Sequence, residues 1–156
     1  MTPGSLPEIA ASPGYDPFVD FRERAMFQQS WSAYGVQWPV IRHSLGLDPD
    51  VPDRKLAVIP DIPESWPGLL VKNLRVGEGV VAVSAERSGN VYKTVVSAPA
   101  GLAVTLGHTL PVGATVESVL LDGAAVEGQV VDSPRGREVR VGTSSDAPRT
   151  LNIRAR

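Results

Sequence analysis

The chain has 156 residues, a formal net charge of −2 and no cysteine, which excludes disulfides, thiol catalysis and cysteine-ligated metals. Its Lys and Arg residues are scattered and form no basic stripe, so it lacks the electrostatic footprint of a nucleic-acid binder. No apolar run approaches the roughly 20 residues of a membrane helix, and the first twenty residues, interrupted by Pro3, Pro7 and Pro13, do not read as a signal peptide; a cytoplasmic location is the expectation.

Residues 1–19 are rich in Pro and Gly and read as loop. Asp20 starts a helix, with Glu23 three residues on as in a capping box. Phe27, Trp31, Tyr34, Trp38, Ile41 and Leu45 then recur at spacings of four and three, which draws one apolar stripe along that helix. Gly46 is its natural stop. Pro39 cannot donate to the carbonyl of Gly35, so a kink or a break is expected near Trp38. The stripe is too bulky for one helix to cover. It calls for a wide partner surface, and a patch of that size left open drives association.

Residues 47–68 carry Pro49, Pro52, Pro60, Pro63 and Pro67 and read as a stiff connector around one short strand beginning at Lys55. From Leu69 onward, Val-rich runs alternate with turn signals every eight to twelve residues. Strands are predicted over 69–75, 79–87, 90–97, 102–106, 115–121, 125–131, 137–143 and 149–155, with hairpins marked by Ser88-Gly89, Asp122-Gly123 and Arg135-Gly136. In 137–141, Val139 and Val141 alternate with Glu138 and Arg140, predicting one buried and one wet face. The expected architecture is therefore mainly β: an antiparallel β-sandwich over 69–156, preceded by a connector over 47–68 and by a loop and helix over 1–46.

Few residues carry chemistry. His43 and His108 are the only histidines and have no neighbours at metal-ligand spacing, so no metal is expected, and no cofactor. Gly77-Glu78-Gly79 resembles the opening of a dinucleotide loop, but its sixth position is Ala82 and a strand follows, so it is rejected. No G-x-S-x-G is present to mark a hydrolase elbow. Trp66, in Pro63-Glu64-Ser65-Trp66-Pro67-Gly68, could stack on a sugar ring or pin the connector to the domain beneath it; packing is the commoner use of such a residue. Glu8 is a loop carboxylate, and glycosidic cleavage needs a second one across the scissile bond.

An ordered series gives these residues a context. Leu6-Pro7-Glu8, Tyr15-Asp16-Pro17-Phe18 and the run 29–35, continued by Trp38-Pro39-Val40-Ile41, the run 45–50 and the run 55–60, resembles the barrel end of bacterial glycogen-debranching and glucoamylase-like glycoside hydrolases and their exit into a C-terminal β-domain. The resemblance covers about residues 5–98. It implies a barrel of six helical hairpins with its pocket at one end, and an inverting mechanism in which Glu8, at the place of the L-P-E base, activates a water between carboxyl groups roughly 6.5–9.5 Å apart. It also implies a carbohydrate partner, with Trp31 and Trp66 as candidate sugar contacts. The partner acid and nearly all of the barrel have no counterpart in these residues. Activity is thus expected to need a missing barrel or a partner chain, and the alternative is a non-catalytic carbohydrate-binding or structural β-sandwich module.

Overall fold

A computed structural model describes Gly35 and residues 37–156. Contacts divide the chain into two units, residues 1–40 and 41–156. Of the first, the described residues Gly35 and Gln37–Pro39 are α-helical. Immediately after Pro39 the helix loosens into a π-turn, Val40–Ser44. The irregularity falls where the proline withholds an amide, as the sequence predicts. The helix expected from Asp20, with Phe27, Trp31 and Tyr34 of its stripe, lies outside the described residues. What is described of it is short.

The second unit is built on two sheets. Its strands are β1 (Leu47–Asp50), β2 (Lys55–Val58), β3 (Gly68–Val76), β4 (Gly79–Ser88), β5 (Val91–Ser97), β6 (Ala103–Leu110), β7 (Val116–Leu121), β8 (Ala124–Ala125), β9 (Gln129–Ser133), β10 (Gly136–Ser144) and β11 (Arg149–Ala155). The first sheet runs β1-β2-β6-β10-β9 and the second β3-β4-β5-β11-β7-β8. Period-two burial follows the Val alternation: Val81, Val83 and Ala85 of β4 and Val139 and Val141 of β10 point into the core with Leu56, Val58, Leu106, Leu151 and Ile153.

The strands within 69–156 pair antiparallel throughout, as expected; β2, from the 47–68 stretch, joins the first sheet in parallel with β6, Leu56 opposite Val104 and Val58 opposite Leu106. Two expectations are corrected. The outer side of β10 is not wet throughout, since Glu138 is 2% exposed. β6 continues past residue 106 to Leu110 through Gly107; a Cβ at Gly107 would stand 2.4 Å from the carbonyl oxygen of Val139, so the glycine permits close approach inside the strand rather than ending it.

The stretch after the helix is bonded into the first sheet from both sides. Gly46, at φ 57°, reverses the chain. Ile59 N–H then donates to Gly46 O (3.1 Å), Asp61 N–H to Ser44 O (3.0 Å) and Thr109 N–H to Pro60 O (2.7 Å). Pro60 has no amide to place, so this stretch needs only its carbonyl matched. At the far end, Ser145 joins two crossover loops: its Oγ donates to Pro99 O (2.6 Å) and accepts from Leu102 N–H (2.8 Å).

Three of the four sheet edges are interrupted or very short: β1 carries Pro49; β3 shifts register between Val71 and Leu74, with Asn73 at φ 60°; and β8 has two residues. The fourth, β9, pairs without a break over Gln129–Ser133.

Candidate functional site

Of the residues singled out in the sequence, Glu8 and Trp31 lie outside the described residues. Trp66 is described. Its N–H donates to Pro63 O (2.9 Å), closing a four-residue turn ahead of β3, and the residue is 41% exposed. The flanking prolines fix this turn because neither offers an amide to compete with it.

The same turn reaches the next group of side chains. Glu64 Oε2 stands 3.9 Å from Nη2 of Arg87 on β4. The Arg87 guanidinium carbon lies 5.4 Å from the ring centre of Tyr92 on β5, a cation–π arrangement that fixes the plane of the guanidinium. Gly89, at φ 56°, makes the tight β4–β5 turn that brings these strands together, and Asn90 O accepts from Ala155 N–H (3.0 Å). Arg87, Asn90, Tyr92, the turn Pro111–Ala114 and Arg156 line a cleft of about 310 Å³ at this end of the sandwich. A flat guanidinium, an amide and a tyrosine edge can offer hydrogen bonds to the hydroxyls of an uncharged polyhydroxylated ring; the half-exposed Trp66 indole lies on the neighbouring turn, outside the cleft lining. The Ser88-Gly89 hairpin brings Arg87 and Asn90 together locally, and only the fold adds Glu64.

A second polar group lies on the outer side of the first sheet. Glu138 Oε1 accepts from Arg135 Nη2 (2.8 Å), Arg135 Nε (3.2 Å) and Ser133 Oγ (2.9 Å), and Oε2 accepts from Arg140 Nη2 (2.6 Å) and Nε (2.9 Å). Burial pushes the carboxyl up, but the bonds from Arg140, Ser133 and Arg135 outweigh it and leave it below the usual carboxylate range. Held as an ion with both oxygens occupied, Glu138 has no proton to give and no lone pair directed at a substrate, which unsuits it for acid–base catalysis. Its role is mechanical. Arg135, pinned by Glu138, sends Nη1 to His43 O and Ile59 O, both at 3.1 Å. A cation thereby binds a carbonyl in the last turn of the helical segment, where the backbone dipole favours positive charge. The signal was present in the sequence only as an Arg-Glu-Arg pattern that an exposed strand face would also show.

Between β1, β2, β6 and β10 runs a broad groove of about 900 Å³, edged by Asp48, Asp50 and Lys55 and floored by Ala57, Thr105 and Gly142. Among the described residues no group of three or more His, Asp or Glu side chains converges as metal ligands, and no helix is long and apolar enough to cross a membrane. No protein-family model and no curated protein sequence matches the chain.

Proposed function

We propose that this chain is the C-terminal segment of a glycoside hydrolase acting on α-glucan-like oligosaccharides, and that its β-sandwich is a non-catalytic accessory module that touches glycan. The observation that carries the reading is the half-exposed Trp66 on a proline-fixed turn, coupled through Glu64 to Arg87 at the mouth of a cleft bearing Asn90 and Tyr92. The Arg135 bonds to His43 O and Ile59 O hold the stretches around residues 43 and 59 on the sandwich within the second unit. The ordered series from Leu6 to Pro60 supports the family, with Glu8 as the inherited base. In this reading catalysis waits for the second carboxylate, which a helical barrel on the same polypeptide or a separate one supplies.

The test is a titration of the full chain with maltohexaose and longer maltodextrins, followed by tryptophan emission and calorimetry. Wild type is expected to show saturable binding, and Trp66→Ala to lose it while keeping the far-UV spectrum of the sandwich. Absence of any response to glycans removes the carbohydrate-contact reading. Reducing-end release by the isolated chain that Glu8→Gln abolishes would instead make it a complete enzyme and overturn the non-catalytic assignment.

A further inference from the structure

Beneath the cleft, a polar chain crosses the core from one sheet to the other. His108, on β6 of the first sheet, is fully buried, as is Thr94 on β5 of the second. Thr94 Oγ1 donates to Gly107 O at 2.9 Å. Its single hydroxyl proton is thereby used, so at 2.9 Å from His108 Nδ1 it must act as acceptor, and Nδ1 must carry the ring proton. That fixes the neutral tautomer with its lone pair on Nε2, which has no protein partner within the core. Tyr92 packs against the imidazole with ring centres 5.1 Å apart, and the same Tyr92 lines the cleft.

We propose that His108 is an acid-operated latch between the two sheets: a proton taken up at Nε2 opens the contact between β5 and β6 and loosens the Tyr92 wall of the cleft. A new N–H at Nε2 would find no acceptor, and its charge would sit in an apolar layer. The groups that face the ring are few. Thr94 and Tyr92 approach from β5, and neither carries a compensating negative charge. Arg87 acts from β4 with a charge of the same sign. Val139, opposite His108 on β10, is apolar and fully buried, as are Val58 of β2 and Ile153 of β11 in the same core.

Burial first, and the Arg87 charge second, lower the His108 pKa from 6.5 to about 3 in the folded protein. The opened form, with its ring in water, takes the proton at the ordinary value. Folded pKa lies below unfolded pKa, so the latch holds fully above about pH 6.5 and weakens progressively as the pH falls from there toward about 3. Between pH near 7.5 and pH near 5, the open-to-closed ratio rises about thirtyfold from this one group.

The experiment uses the full chain. Urea unfolding and amide exchange of β5 and β6 are measured at both pH values for wild type and His108→Gln, which retains an amide donor but does not titrate in this range. Wild type is expected to show the thirtyfold rise, and the variant less than about threefold. In parallel, the imidazole resonances of wild type are followed by NMR, with the exposed His43 as internal reference; the His108 signal is expected to hold its neutral shift while the sandwich stays folded. A His108 ring that titrates near pH 6.5 in the folded protein overturns the proposal, as does an equal pH response in His108→Gln. Should His108→Gln fail to fold, the wild-type NMR titration decides alone.

Discussion

Replacing Glu138 with alanine tests how much of the fold rests on the Arg135–Glu138–Arg140 cluster. The substitution removes the acceptor of five hydrogen bonds and leaves two guanidiniums facing each other across the vacated space. Breaking a buried pair by deleting one partner costs about 3–5 kcal/mol, because the remaining charge is stranded. Here both arginines reach water, with side chains 24% and 36% exposed, so part of their charge is rehydrated and the lower end applies. We therefore expect a loss of about 3 kcal/mol, which in a body of this size lowers Tm by roughly 10–15 °C. Arg135 would lose its anchor as well, and its bonds to His43 O and Ile59 O would weaken with it. The assay is urea unfolding at pH 7 with the m-value held as a check, combined with hydrogen exchange over residues 43–46 and 59–62. A loss below about 1 kcal/mol at unchanged m, or exchange at those amides indistinguishable from wild type, would refute both the energetic argument and the anchoring of residues 43–46 and 59–62 by Arg135.

Three further outcomes follow from the same geometry. Gly46→Ala places a Cβ 1.8 Å from Ile59 O at a φ of 57°, so the ladder between 44–47 and 58–61 must part; a loss of about 3 kcal/mol or more is expected by thermal denaturation. Asp122 accepts from Thr150 N–H at 2.8 Å and Arg149 Nη1 at 3.0 Å beside Gly123 at φ 85°; Asp122→Ala should cost about 1 kcal/mol and raise amide exchange at Thr150, both read in one exchange experiment. Glu138, whose folded carboxyl is held below its ordinary value, contributes stability above the unfolded carboxylate range and loses it as pH falls through the folded value. An acid titration of stability should therefore show a second decline below pH about 4, which Glu138→Gln reduces, the remainder belonging to Asp122 and Asp132 held low in the same sense, and which His108→Gln leaves in place.

The β-domain was legible because its signals are local. Asp122-Gly123 names its own hairpin through two successive positive φ angles, 51° and 85°. Val139 and Val141 show their facing through simple alternation, and Pro39 marks the point where the helix loosens. What escaped is what only distant residues decide. Whether Leu56 pairs parallel or antiparallel with Val104 depends on a crossover, not on either sequence. Gly107 looks like a strand end until the carbonyl of Val139 is seen against it. Arg135, which holds Glu138, binds Ile59 O some 76 residues away, and no spacing within β10 could announce that link. His108 and Thr94 are neighbours only because two sheets stack. The pairing of Trp66's turn with Arg87 has the same origin, whereas the candidate base Glu8 and the sugar contact Trp31 fall outside the described residues.

The broken borders of the two sheets bear on how this polypeptide tolerates crowding. A ladder ending at Pro49, at the kink beside Asn73, or after the two residues of β8 gives an incoming chain too few consecutive amides to dock against. Crowded copies of the sandwich are therefore poorly disposed to join strand to strand across these three borders.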